Sequence, residues 1–127
     1  AERLLEIQER LREVIREHRP EVAGVEALYF GRNSASALPV AQARGVVLCT
    51  LAAEGIVCHE YPPRVIKQSV AGNGKADKRQ VQEMIRIIFG LSEPPRSDHA
   101  ADALAVAFCH STHSALDRLL PGQDRVQ

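Results

Sequence analysis

VAGVEALYF, residues 22–30, is the stretch on which the fold of this 127-residue chain turns. Val22 and Val25 stand in a short apolar run with aromatic residues, the composition of a buried strand. A single carboxylate, Glu26, interrupts it. On its C-terminal side, SASALPVAQARGVVLCTLAAEG reads as a long helix from Ser36 to Glu54. Ser36 supplies a cap, Pro39 falls in the first turn, where amides lack intrahelical partners, and Gly55 suits the stop. This helix is apolar on nearly every face. IVCHEYP, 56–62, is a second strand ended by proline. Strand, helix and strand over 22–62 predict a βαβ unit with a parallel pair, and so an α/β fold.

The flanking segments are helical. AERLLEIQERLREVIREHRP carries Leu4, Ile7, Leu11, Val14 and Ile15 as one apolar stripe among charges and is stopped by Pro20. After the second strand, PPRVIKQSVAGNGKADKRQ predicts a short turn of helix and a glycine loop at Gly72–Gly74. A helix over 77–89 follows, with a capping box at Asp77 and Gln80 and a stripe of Val81, Met84, Ile85 and Ile88. Pro94 and Pro95 close the linker, and a last long helix starts at Asp98. These elements form one domain over residues 1–120, with a polar tail at 121–127 expected to fray. Two strands make a small sheet for so many helices.

Bulk properties exclude more than they assign. Sixteen basic and sixteen acidic residues give no net charge, so any electrostatic function must come from a local patch. Cys49, Cys58 and Cys109 are odd in number, widely spaced and set in apolar contexts, which reads as buried thiols in a reducing compartment. No apolar run approaches a membrane span or resembles a signal peptide, and the expectation is a soluble, cytoplasmic protein.

Chemistry concentrates in two places. In SDHAADALAVAFCH, 97–110, Asp98 is placed to cap the last helix, while His99 and Asp102, three apart, project from one side of it beside a stripe of Ala101, Leu104, Ala105 and Phe108. Two readings fit: an acidic residue in the first turn, as the helix dipole favours, or a pair of metal ligands. Glu26 likewise fits an arginine partner, a position just past the strand's buried part, or a site at the carboxyl end of its strand, where ligands of parallel sheets collect. Together Glu26, His99 and Asp102 would make a hard, oxygen-rich site for Mg²⁺ or Mn²⁺. The second place is basic. Arg64, Lys67, Lys75, Lys78 and Arg79 stand against Asp77 alone. This is either a solvated face or, with the glycine loop entering a helix, a place for phosphates. Cys109, His110 and His113 lack the second ligand pair of a zinc site.

Three strings resemble one family, in order and with similar gaps: VEALYFGRNSASALPVAQARGV, RVIKQSVAGNGKADKRQVQEMI and SDHAADALAVAFCH look like RuvC-type Holliday-junction resolvases. The likeness runs from about residue 3 to about 113. It implies an RNase H-like three-layer α/β fold, a homodimer on four-way junction DNA, and symmetric phosphodiester cleavage with Mg²⁺ (or Mn²⁺), two ions per site, in recombination and repair. A branch-migration helicase complex is the further partner it implies. Residue by residue, Glu26 and Asp102 match the family's metal-binding carboxylates, and His99 falls where members carry aspartate or histidine, as a ligand or a proton carrier. Tyr29 falls at an aromatic position implicated in handling bases. Lys67 and Lys78 match basic residues implicated in DNA binding and cleavage, and the helix from Ser36 to Glu54 matches one at the dimer interface. Members begin with a Gly-Ile-Asp-Pro-Gly-like strand whose aspartate is the first ligand. Here the first aspartate is Asp77, so the expectation is a chain that lacks those N-terminal strands. The alternative function is then an inactive junction-binding or dimerisation module.

Overall fold

The computed structural model describes residues 1–28 and 37–119. Tyr29, Ser36 and the tail at 121–127 lie outside the described residues. Within them the order is α1 (Glu2–His18), β1 (Val22–Glu26), α2 (Ala37–Ala53), β2 (Val57–Tyr61), α3 (Pro63–Ala71), α4 (Lys78–Ile88) and α5 (Asp98–Leu119). β1 and β2 pair side by side. The amide of Ala27, just past β1, donates to the Tyr61 carbonyl at the end of β2, at 2.8 Å. The carboxyl ends of the two strands are therefore neighbours, as the parallel βαβ reading requires.

β1 is shorter than the sequence suggested. It ends at Glu26 rather than running on to residue 30, and Leu28 is already exposed. The helix expected from Ser36 is described from Ala37. α3 is longer than expected, nine residues instead of a turn, because Pro63 occupies its first position, where no amide bond is lost, and Gly72 ends it in the left-handed region at φ 73°.

The chain forms two compact units. The first comprises 1–23 and 28–58. Here α1 packs on α2, Arg12 Nε reaches Glu54 Oε1 at 3.2 Å, and Ile15, Thr50, Leu51 and Ile56 are buried. The Thr50 hydroxyl satisfies itself on the Val46 carbonyl one turn back, at 2.7 Å. α1 stops where Arg19 adopts φ 49° and its amide bonds the Ile15 carbonyl, immediately before Pro20.

The second unit comprises 24–27 and everything from His59 onward. Its core is Tyr61, Ile66, Val70, Ile85, Ala105, Val106 and Cys109, with Val81, Met84, Ile88, Leu104 and Phe108 packed against it. The stripe read on α4 is therefore the core face of that helix. The capping box is formed: Asp77 accepts from the Gln80 amide and the Gln80 side chain accepts from the Asp77 amide. Of the three cysteines expected to be buried, Cys109 is buried, Cys58 half-buried and Cys49 exposed on α2. Apolar sequence context failed at Cys49 because α2, apolar nearly all round, leaves one face uncovered in its unit. No helix among the described residues is long and apolar enough to cross a membrane.

Near the middle of α5, the Tyr61 hydroxyl and His110 Nδ1 share a hydrogen bond of 2.6 Å. The His110 ring also stacks at 4.8 Å, centroid to centroid, on His59. Burial, then the neighbouring His59 and His113, depress the His110 pKa below 6.5, against a smaller upward pull from Asp117. The unfolded chain then binds a proton more readily than the folded one, so stability is complete above pH 6.5 and falls as the pH drops toward the depressed value. The thermal midpoint, followed by circular dichroism, is expected to fall between pH 7.5 and 5.5, with a shallower fall in His110→Gln.

Candidate functional site

The site begins with a missing side chain. A Cβ on Gly24 would lie 3.0 Å from Val106 Cγ1 and 3.5 Å from the Val106 carbonyl oxygen, so glycine lets the backbone of α5 come close to β1. Side chains two apart on a strand share a face, and residues four apart on a helix lie about one turn, roughly 6 Å, apart along it. Two strand residues advance by about the same distance. Hence contact at Gly24 and Val106 sets Glu26 opposite Asp102.

Those two carboxylates line one cavity of about 240 Å³ with Lys67 of α3 and Lys78 and Gln82 of α4. Its floor is apolar, made by Ile66, Val81, Ala101, Ala105 and Val106. Glu26 is held above its ordinary pKa of 4.5 first by burial and then by the negative charge of Asp102, while Lys67 pulls it back down. A pair of carboxylates that repel each other above an apolar floor is a donor set suited to a hard divalent cation. Lys78 is raised above its ordinary value, chiefly by its hydrogen bond to Asp98 and also by the charges of Asp98 and Asp102.

Asp98 does not cap α5. The Ser97 hydroxyl accepts from the Ala100 amide at 3.4 Å, in the capping position, and Asp98 is the first helical residue. Its carboxylate turns instead to α4, accepting from Lys78 Nζ at 2.6 Å and from Gln82 Nε2 at 2.9 Å. The lysine holds its pKa below the usual aspartate range. His99 is exposed and does not line the cavity, and among the described residues no three His, Cys, Asp or Glu side chains converge as a metal-binding group. Lys75 is exposed in the loop before α4, its amide bonded to the Asn73 side chain, and it too stands outside the cavity. Tyr29 lies outside the described residues. Sequence reasoning missed Gln82; its signal was the i, i+4 spacing from Lys78, which places both on one face of α4.

Residues 1–110 match the family model described as crossover junction endodeoxyribonuclease RuvC. The chain belongs to the RuvC family. A RuvC from Chloroflexus aurantiacus is 56% identical over 110 residues, 87% of this chain and 67% of that protein. One from Treponema denticola is 54% identical over 106 residues, 84% of this chain and 60% of that protein. The chain thus spans about two thirds of the length of the RuvC relatives it matches. Among solved structures, RuvC of Thermus thermophilus superposes with a TM-score of 0.83 at 40% identity, over 91% of this chain and 69% of that one. The same protein in complex with a Holliday junction substrate gives 0.85 at 40% identity, over 91% and 70%. The fold is α/β and RNase H-like, as the RuvC resemblance implied.

Because burial and Asp102 raise the folded pKa of Glu26, its carboxyl favours the folded state while protonated, and stability declines as pH rises from 4.5 through the raised value. Glu26→Gln is therefore expected to raise the thermal midpoint at pH 7.5 in EDTA. The advantage should shrink to nothing below about pH 4.5, where the wild-type carboxyl is protonated in both states. A pH series of melting curves checks it.

Proposed function

We propose that this chain is a crossover junction endodeoxyribonuclease: it binds four-way DNA and hydrolyses opposed phosphodiester bonds with a divalent metal. One observation carries the reading in a chain of this family, namely that two acidic and two basic side chains, Glu26, Asp102, Lys67 and Lys78, share a cavity. Glu26 and Asp102 supply hard oxygen donors for Mg²⁺ or Mn²⁺, two ions per site. On the family resemblance alone, His99, three residues before Asp102 on α5 and outside the cavity lining, would be a further ligand or a carrier of the proton from the attacking water. When bound, the metal supplies positive charge to the phosphate and a more acidic water.

The protein's own residues do the rest. Lys67 and Lys78 neutralise phosphate oxygens and fix the strand over the carboxylates. The apolar floor excludes water on the side away from DNA, which strengthens each charge contact above it. Glu26 must be ionised to bind a cation, so protons compete with the metal there and activity is expected to fall toward acid pH. Tyr29 is retained as the residue that stacks on a base at the crossover, on the family resemblance alone. The same resemblance supports a branch-migration helicase as a further partner and a cytoplasmic location.

Two equivalent cuts call for two equivalent sites, which an isologous dimer supplies. α2 offers a face for it: Leu38, Gln42, Gly45 and Cys49, at helical spacing, are all exposed, Leu38 by 67%. A side chain at Gly45 would meet nothing within 4 Å, so neighbouring backbone can approach there. Sedimentation equilibrium is expected to show a dimer, and Gly45→Arg to shift it to monomer.

With labelled four-way junction and Mg²⁺, the wild-type chain is expected to nick two opposed strands. Glu26→Gln and Asp102→Asn should each lower that rate about 100-fold or more while junction binding persists. Binding without nicks, unaltered by Glu26→Gln, would mark an inactive junction-binding module instead.

A further inference from the structure

We infer that Asp98 is a positioning residue for Lys78. The two side chains are 62% and 57% exposed for Lys78 and Asp98 respectively, so the pair adds little to stability. Its geometry is more specific than stability would require. One carboxylate takes two polar groups of α4, Lys78 Nζ on Oδ2 at 2.6 Å and Gln82 Nε2 on Oδ1 at 2.9 Å. Lys78 and Gln82 are one turn apart and both line the cavity, whereas Asp98 does not. Asp98 in turn stands one helical turn before Asp102 on α5, so it fixes the ammonium at a set place relative to that carboxylate.

A lysine on its own swings through many rotamers, and binding a phosphate must freeze them. Asp98 removes part of that freedom beforehand. The ammonium has three donors, and Asp98 uses one, leaving two for phosphate oxygens. Gln82 keeps Asp98 itself from following the lysine. Asp98 therefore works through Lys78 and touches neither substrate nor metal.

The inference rests on Lys78 being a phosphate-binding residue, and its test separates the two. A carboxylate beside DNA repels it, so by charge alone Asp98→Ala should tighten binding. Positioning predicts the opposite. In EDTA, where no cutting intrudes, Asp98→Ala is expected to bind a four-way junction about three- to tenfold more weakly than wild type in mobility shifts. Asp98→Glu should recover most of the loss. In a Lys78→Ala background the Asp98→Ala change should add less than about twofold, since the residue it serves is gone. Equal or tighter binding by Asp98→Ala overturns the inference, as does an undiminished loss without Lys78, which would mark a structural role. If Lys78→Ala binds like wild type, the phosphate-binding assignment fails and the positioning role falls with it. A wild-type chain with no preference for four-way over duplex DNA would overturn the functional reading as well.

Discussion

Everything at the site depends on how closely α5 can approach β1. Gly24 meets Val106 so closely that a Cβ there, 3.0 Å from Val106 Cγ1, would require the valine to give way, and the residues that α5 turns inward nearby, Ala101 and Ala105, are small and buried. A larger residue at any of these places would push the helix out. The displacement would be felt one turn away at Asp102 and two residues away at Glu26, because the strand and the helix advance at nearly matched steps from the contact. Close backbone packing, which is an apolar and steric matter, thus decides the separation of two charged groups.

That arrangement costs stability. Glu26 is half-buried, faces a like charge and is offset only in part by Lys67. A protein selected for stability alone would place an amide or an apolar group there. The cost is local: the rest of the second unit's core is mainly apolar packing around Ile85, which is wholly buried. Charges of opposite sign, Glu26 and Asp102 against Lys67 and Lys78, line the same cavity. Lys78 is held charged chiefly by its hydrogen bond to Asp98.

Legibility in the sequence followed the range of the interaction responsible. The capping box at Asp77 and Gln80 and the stripe of α4 are local periodic signals, and both are present as read. The parallel pairing of β1 and β2 was legible from the intervening helix. The length of β1 was not: beyond Ala27 the run stays apolar in sequence, yet Leu28 is exposed. Glu26 and Asp102 could be singled out because a charge in an apolar strand and a charge beside a buried helical stripe both demand explanation. Asp98 departs from its expected role for a physical reason. A carboxylate at a helix start is a cap by default, and only the neighbouring helix reveals that its oxygens are engaged elsewhere. His110 reads in sequence as part of an incomplete zinc fragment, whereas its partner is Tyr61, 49 residues earlier, which no local spacing could indicate.

Small residues that allow α5 to approach also leave its rotation weakly specified, since alanine surfaces slide past one another with little steric penalty. Polar contacts at its start and near its middle supply what the alanine surface lacks. At the start, Asp98 binds Lys78 and Gln82. Three turns on, His110 meets the Tyr61 hydroxyl, while Cys109, one residue before it, accepts the Ser69 hydroxyl at 3.3 Å. Directional bonds tolerate less rotation than apolar contacts do. A turn of α5 about its axis that carried Asp102 away from Glu26 would have to break contacts to α3, α4 and β2 together. The helix can therefore be both close and fixed, which a site made of two mutually repelling carboxylates requires.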